Sequence, residues 1–151
     1  MSVPRIFRQV VWSLLRLPLP GYWRGYLIGL GGIKRLIHSG ERLRIFIGSN
    51  VSFDTYHPEL IEIGNGTTIS VGSVILSHYP DMRRPLPGFK FYCGRVKIGR
   101  NCFIGANTII CKPVSIGDDA VVAAGSIVVC DIPPRQIWGG NPARLIRERE
   151  R

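Results

Sequence analysis

Apolar and polar positions along this chain keep two different periods. From Ile98 onward an aliphatic residue returns every six positions, at Ile98, Ile104, Ile110, Ile116, Val122 and Val128. A helix would scatter that column around its surface, and a simple strand alternation does not demand a small residue after each such aliphatic. Here the following residue is Gly99, Gly105, Cys111, Gly117, Ala123 or Val129, and the fifth place holds Cys102, Thr108, Val114, Ala120, Ser126 or Ile132. Short strands joined by tight turns satisfy both columns, each aliphatic pointing inward and stacking on its equivalent in the next coil of a parallel β-helix. With three hexads to a coil, residues 98–133 supply two coils.

The same register runs earlier through Ile63-Gly64, Ile69 and Ile75, with Thr67 and Ser73 in the fifth place, and more faintly through Ile47-Gly48 and Phe53. Between Ile75 and Ile98 the interval is 23 residues, five more than three hexads. Pro80, Pro85, Pro87 and Gly88, with four basic residues, break the pattern there. The expectation is a protruding loop over 80–95, and interruptions of a regular scaffold are where function concentrates.

The start of the chain follows a helical period instead. At about 100° per residue, Pro4 to Leu17 puts Ile6, Phe7, Val10, Val11, Leu14, Leu15 and Leu17 on one face. Arg5, Arg8, Gln9, Ser13 and Arg16 fall on the other, and only Trp12 is on the wrong side. Pro18 and Pro20-Gly21 stop the helix. One amphipathic helix is expected, laying its apolar face on the rest of the domain or on another subunit. The alternative is an interfacial helix, because arginines beside an apolar face with an indole nearby suit anionic lipid headgroups. The run from Val10 to Leu17, cut by Ser13 and Arg16, falls far short of the ~20 residues a spanning helix needs.

Composition then bounds the molecule. At 151 residues, 45% hydrophobic and 20% charged, the chain is one packed domain and not a disordered basic tail. Twenty Lys+Arg against ten Asp+Glu give +10, and eight of those cations with a single acid, Glu41, precede Ile45. Such a charge admits nucleic acid, membrane or an anionic ligand as partner. The sequence carries no nucleic-acid module, and Phe89, Phe91 and Tyr92 form no repeated stacking platform, so no specific nucleic-acid binding is expected. Cys93, Cys102, Cys111 and Cys130 stand nine, nine and nineteen residues apart without a CxxC pair, and read as buried small apolar residues of a reducing compartment. His38, His57 and His78 are nineteen and twenty-one residues apart, so no metal is expected. Without an export signal the expected location is cytoplasmic.

The run Val96-Lys97-Ile98-Gly99 through Phe103-Ile104-Gly105-Ala106-Asn107, then Val114 to Val128, and the ending Asp131-Ile132-Pro133-Pro134 with Gly140-Asn141-Pro142-Ala143-Arg144 resemble the hexapeptide-repeat acyltransferases. These enzymes include galactoside, maltose, xenobiotic and polysaccharide O-acetyltransferases. The resemblance implies an all-β fold, a left-handed parallel β-helix over residues 45–147 with the loop at 80–95. A basic N-terminal helical segment (1–44) precedes it and a charged tail (148–151) follows. Phe53-Asp54-Thr55-Tyr56-His57-Pro58-Glu59 and Ile75-Leu76-Ser77-His78 resemble the branch that modifies surface sugars.

By the same resemblance His78, on the last coil before the loop, is the general base. An imidazole titrates near neutrality, and its proton transfer is worth ~10²–10⁴-fold. The backbone of Ala106 would face the oxyanion, Ala124 the pantetheine arm, and Arg144 and Arg147 the phosphates of acetyl-CoA. Asp54, Asp81 and Arg83 are the candidates for the acceptor. Val129-Cys130 replaces the Thr-Lys pair common in the family. The expected activity is direct acetyl transfer from acetyl-CoA to a sugar hydroxyl in surface-polysaccharide synthesis. The expected assembly is a homotrimer, with a possible peripheral contact at the anionic inner face of the membrane. Transfer to an amine, an inactive β-helix scaffold and a three-histidine metal hydratase are the alternatives.

Overall fold

The computed structural model describes residues 4–15, 17–80 and 90–150. Two helices open it, α1 (Arg5–Leu14) and α2 (Gly21–Leu30). Then come β1 (Lys34–Leu36), β2 (Phe46–Ile47), β3 (Ser52–Phe53), β4 (Ile61–Gly64), β5 (Thr68–Ile69) and β6 (Val74–Ile75). The strands β7 (His78–Pro80) and β8 (Phe91–Cys93) pair only with each other. After them the stack resumes with β9 (Val96–Ile98), β10 (Phe103–Ile104), β11 (Ile109–Ile110), β12 (Ser115–Ile116), β13 (Val121–Val122) and β14 (Ile127–Val128). It ends in β15 (Gln136–Gly139) and β16 (Arg144–Glu148).

These strands build the three sides of a prism. One side is β1-β4-β9-β12, the second β2-β5-β10-β13-β15 with β16 at its end, and the third β3-β6-β11-β14. All neighbours run parallel except β15 and β16. The six-residue column is the register itself: Ile69 lies beside Ile104 and Ile104 beside Val122, while Ile75, Ile110 and Val128 make the equivalent row on the third side. Each of these six side chains is fully buried, and such burial contributes about 1.5–3 kcal/mol per residue. The fifth-place column is buried too, and its hydroxyls are satisfied internally. Thr67 donates to the Gly99 carbonyl at 2.7 Å and Ser126 to that of Ala123 at 2.6 Å.

Close approach of the coils explains the small residue after each aliphatic. A Cβ on Gly105 would strike the backbone of Ala124 one coil on, and one on Gly117 the backbone of Pro134. Corners of the prism need left-handed backbone, supplied by Asn50, Asn101, Asn107 and Asp119, which tolerate it. Arg135, with φ of 57°, takes the same conformation without that advantage.

Several expectations change. Ile75 and Ile98 are consecutive in the stack, since β6 on the third side is followed by β9 on the first, and the β7–β8 pair stands outside it at the corner between them. The coil starts before residue 45, because β1 pairs with β4. The expected tail is held at its start, with Glu148 in β16 and the Arg149 N–H donating to the Arg135 carbonyl at 2.8 Å.

The N-terminal segment departs most. α1 is present, but it faces the core with Val11, Trp12 and Leu15. Ile6, Phe7, Val10 and Leu14, most of the expected buried face, are exposed. Trp12, which broke the pattern, is the anchor, its ring 6.0 Å from that of Phe53. α2 was not foreseen. It buries Gly21, Arg24, Gly25 and Ile28 against the first coil, and a Cβ on Gly25 would run into the Ile45 carbonyl. Nor are the cysteines uniformly buried: Cys102 is, and burial pushes its thiol up to about 11, but Cys111 and Cys130 are half-buried and Cys93 is exposed. Among the described residues no helix is long and apolar enough to cross a membrane.

Candidate active site

The corner where the chain leaves the prism positions His78. Phe53 at the end of β3 lies opposite Ile75 at the end of β6, so Asp54 emerges beside the segment that runs through Ser77 to His78. The Asp54 carboxylate meets His78 Nδ1 in a short contact. It also accepts from the Ser77 hydroxyl at 2.7 Å, the Ser77 N–H at 3.1 Å and the Tyr56 N–H at 2.9 Å. With its side chain 2% exposed, it has no face left for an acceptor. The carboxylate expected at the acceptor thus lies against the imidazole.

Burial alone would raise the Asp54 carboxyl, but the hydrogen bonds from Ser77, His78 and Tyr56 outweigh it and hold the group below its ordinary value. A carboxylate is acceptor-only, so Nδ1 of His78 carries the proton of that bond and Nε2 is left as the basic nitrogen. The ring stands at the side of a cleft of about 460 Å³ lined by Tyr56, His78, Phe91 and Cys93. Phe91 meets the imidazole edge-on at 5.4 Å, and Tyr56 lies 6.4 Å from it.

The ribbon of β7 and β8 holds this cleft open. His78 pairs with Cys93 and Tyr79 with Tyr92, the two tyrosine rings stacking at 5.6 Å, and the Gly94 N–H ties the return strand to the Ser77 carbonyl at 2.9 Å. Asp81 and Arg83 lie outside the described residues. The other two histidines are engaged elsewhere, His57 with Glu59 at 3.0 Å and His38 with Arg100 at 2.6 Å. Among the described residues no three His, Cys, Asp or Glu groups converge as a metal site.

Ala106 and Ala124 occupy a different corner, between the second and third sides, one coil apart; the Gly125 N–H bonds the Ala106 carbonyl at 2.8 Å. Arg144 and Arg147 are exposed on β16. Arg147 lies 3.9 Å from Glu150, and Arg144 donates to the Ala143 carbonyl at 2.9 Å. None of the four lines the His78 cleft. A single chain brings Asp54 and His78 together and leaves the expected carrier residues on other parts of the surface. Tyr56, Phe91 and Cys93 were missed as cleft walls. Their signal was the placement of Phe91 and Cys93 where the loop rejoins the coil.

A family model described as the hexapeptide repeat of succinyl-transferase matches residues 95–130. Over 114 residues the chain is 39% identical to YvoF of Bacillus subtilis (strain 168), a protein named for an acetyltransferase activity, covering 72% of this chain and 63% of that one. A hexapeptide-repeat acetyltransferase of Vibrio cholerae, VCA0836, superposes with a TM-score of 0.74 at 27% identity, over 97% of this chain and 91% of its own. The chain carries the hexapeptide repeat and resembles the acyltransferases built on it. Its prism is their left-handed parallel β-helix. VCA0836 has also been solved with acetyl-CoA, TM-score 0.71 at 26% identity, over 97% of this chain and 87% of its own. A maltose O-acetyltransferase of Clostridium difficile 630 matches with a TM-score of 0.64 at 27% identity, over 97% and 87% of the two chains. The chain spans less than two thirds of the length of the first curated relatives it matches, 63% of YvoF and 15% of a GlmU protein of Anaplasma marginale.

Proposed function

We propose that this hexapeptide-repeat protein is an O-acetyltransferase that moves the acetyl group of acetyl-CoA to a sugar hydroxyl of a surface polysaccharide or its precursor. The observation that carries the reading is the Asp54–His78 couple beside an open cleft. Nε2 of His78 takes the proton of the acceptor hydroxyl as its oxygen attacks the thioester carbonyl. The tetrahedral oxyanion is met by the Ala106 N–H, a type of contact worth about 3–4 kcal/mol. The C–S bond then breaks, and the CoA thiolate leaves with the proton returned by His78. Asp54 fixes the tautomer and balances the imidazolium as it forms.

Ala124 lets the pantetheine arm lie against the coil, and Arg144 and Arg147 meet the phosphates through charge-assisted hydrogen bonds. Because these residues and His78 sit on different parts of one chain, the complete site is assembled between subunits of a homotrimer, with Asp81 and Arg83 of the loop toward the acceptor. The enzyme works in the cytoplasm, at the inner face of the membrane. Two aromatic rings flanking the imidazole suit the C–H face of a pyranose. Thioester consumption against a panel of sugars, with product mapping, tests the reading. Sugar-dependent CoA release and an ester product are expected, and an N-acetylated product or no acceptor dependence would overturn it.

A further inference from the structure

The N-terminal helices leave their apolar side chains outside. Ile6 is 77% exposed and Val10 53%, while α1 and the residue after it touch the core with Val11, Trp12 and Leu15. On α2 the glycine side is buried, and Trp23 and Tyr26 point outward at 65% and 50% exposure. The two helices pack together, with the Arg24 guanidinium donating to the Leu17 carbonyl at 3.1 Å. Neither helix exceeds 10 residues, enough to lie in an interface and far too short to cross one.

Charge identifies the occupant. Residues 1–40 hold six cations and no acid, and Arg42 and Arg44 follow, both exposed. Of these Arg24 is buried and bonded inward, and partners borrowed from the coil offset two more, Glu59 at 3.8 Å from Arg8 and Glu62 at 3.4 Å from Lys34. A surface of exposed aliphatics with a tryptophan and tyrosines, set in a segment that contains cations and no anion until Glu41, is complementary to anionic phospholipid. A face built to meet another protein subunit has no need to exclude acids.

We propose that α1 and α2 together form a monotopic docking surface for an anionic bilayer, with Ile6 and Val10 entering the acyl boundary and Trp23 and Tyr26 at headgroup level. This deepens the membrane location given to the enzyme above and is independent of the acceptor. By capping the first coil, the helices hold the prism to the bilayer by one end and leave the His78 corner, on the second coil, free for substrate.

The test is co-sedimentation of the full chain with phosphatidylglycerol–phosphatidylcholine vesicles and with phosphatidylcholine alone, in low and high salt. The chain is expected to bind the anionic vesicles and to lose binding as salt rises. Ile6→Ser with Val10→Ser, and separately Trp23→Ser, are expected to weaken binding by roughly tenfold or more, with melting temperature, the number of subunits per assembly and CoA release on a soluble sugar unchanged. Equal binding to both vesicle types overturns the proposal. So does dissociation of the assembly in the variants, which would make the surface an interface between copies. Loss of sugar-dependent CoA release with vesicle binding intact would count against the acetyltransferase reading alone.

Discussion

The coils from Val96 to Val128 and the helices from Arg5 to Leu30 are similarly rich in apolar residues, yet they use them in opposite ways. In the coils every hexad aliphatic is buried against an equivalent one coil away. In the helices Ile6, Phe7, Val10, Trp23 and Tyr26 face out, and Val11, Trp12 and Ile28 make the inward contact together with Gly21 and Gly25. The difference teaches that burial here is set by repetition. A coil finds its partner in the next coil, whereas a helix laid over the first coil meets backbone and must approach with small residues.

The largest expected effect tests that contrast in stability. Ile104→Ala, between Ile69 and Val122 in the core, should lower unfolding free energy by about 2–5 kcal/mol, whereas Ile6→Ser should stay within ~0.5 kcal/mol. Urea unfolding of the two variants measures it, and equal losses would mean that α1 is as tightly integrated as the coil.

Next is the corner that carries the chemistry. Asp54→Asn removes the charge that fixes the His78 tautomer and is expected to lower kcat by roughly 10–10⁴-fold, the range for carboxylates that orient a histidine, with KM for acetyl-CoA unchanged. Steady-state kinetics read the split. A rise in KM alone would make Asp54 a binding group.

A smaller effect concerns Arg135. Replacing it by asparagine, which tolerates its left-handed backbone, should raise stability by ~1 kcal/mol, seen as a higher melting temperature.

The smallest concerns the tie between the two regions. Hydrogen bonding from Arg100, opposed by burial and helped by Asn65 and the His38 N–H, holds the exposed Glu41 carboxyl down at about 2. A carboxyl lowered on folding stabilises fully above its unfolded value near 4.5 and loses that contribution as pH falls toward 2. Melting temperature should decline slightly across that window, and Glu41→Gln should flatten the decline. An unchanged slope would show that the tie contributes nothing.

The prism was legible because its signal repeats: six aliphatics in one column left no other architecture. α2 was not, because its helical pattern is carried by Gly21, Gly25 and Gly29 at four-residue spacing, residues that read as loop when taken one at a time. What covers the apolar face of α1 was not legible for a related reason. An amphipathic pattern says that a face needs covering, and it does not say by what. His78 could be found from the resemblance and the loop that follows it. Its partner was named as a candidate but in another role, because only folding brings Asp54, twenty-four residues upstream, beneath the ring. Ala106, Ala124, Arg144 and Arg147 stay apart from it in one chain, as parts of a site that needs a second subunit would.

The central claim is that His78, held by Asp54, is the base of an acetyl transfer. Its most direct test is the turnover of His78→Ala with acetyl-CoA and an accepted sugar, measured beside acetyl-CoA affinity. The account predicts a loss of ~10²–10⁴-fold in kcat with affinity retained. Turnover equal to that of the unaltered protein would contradict it.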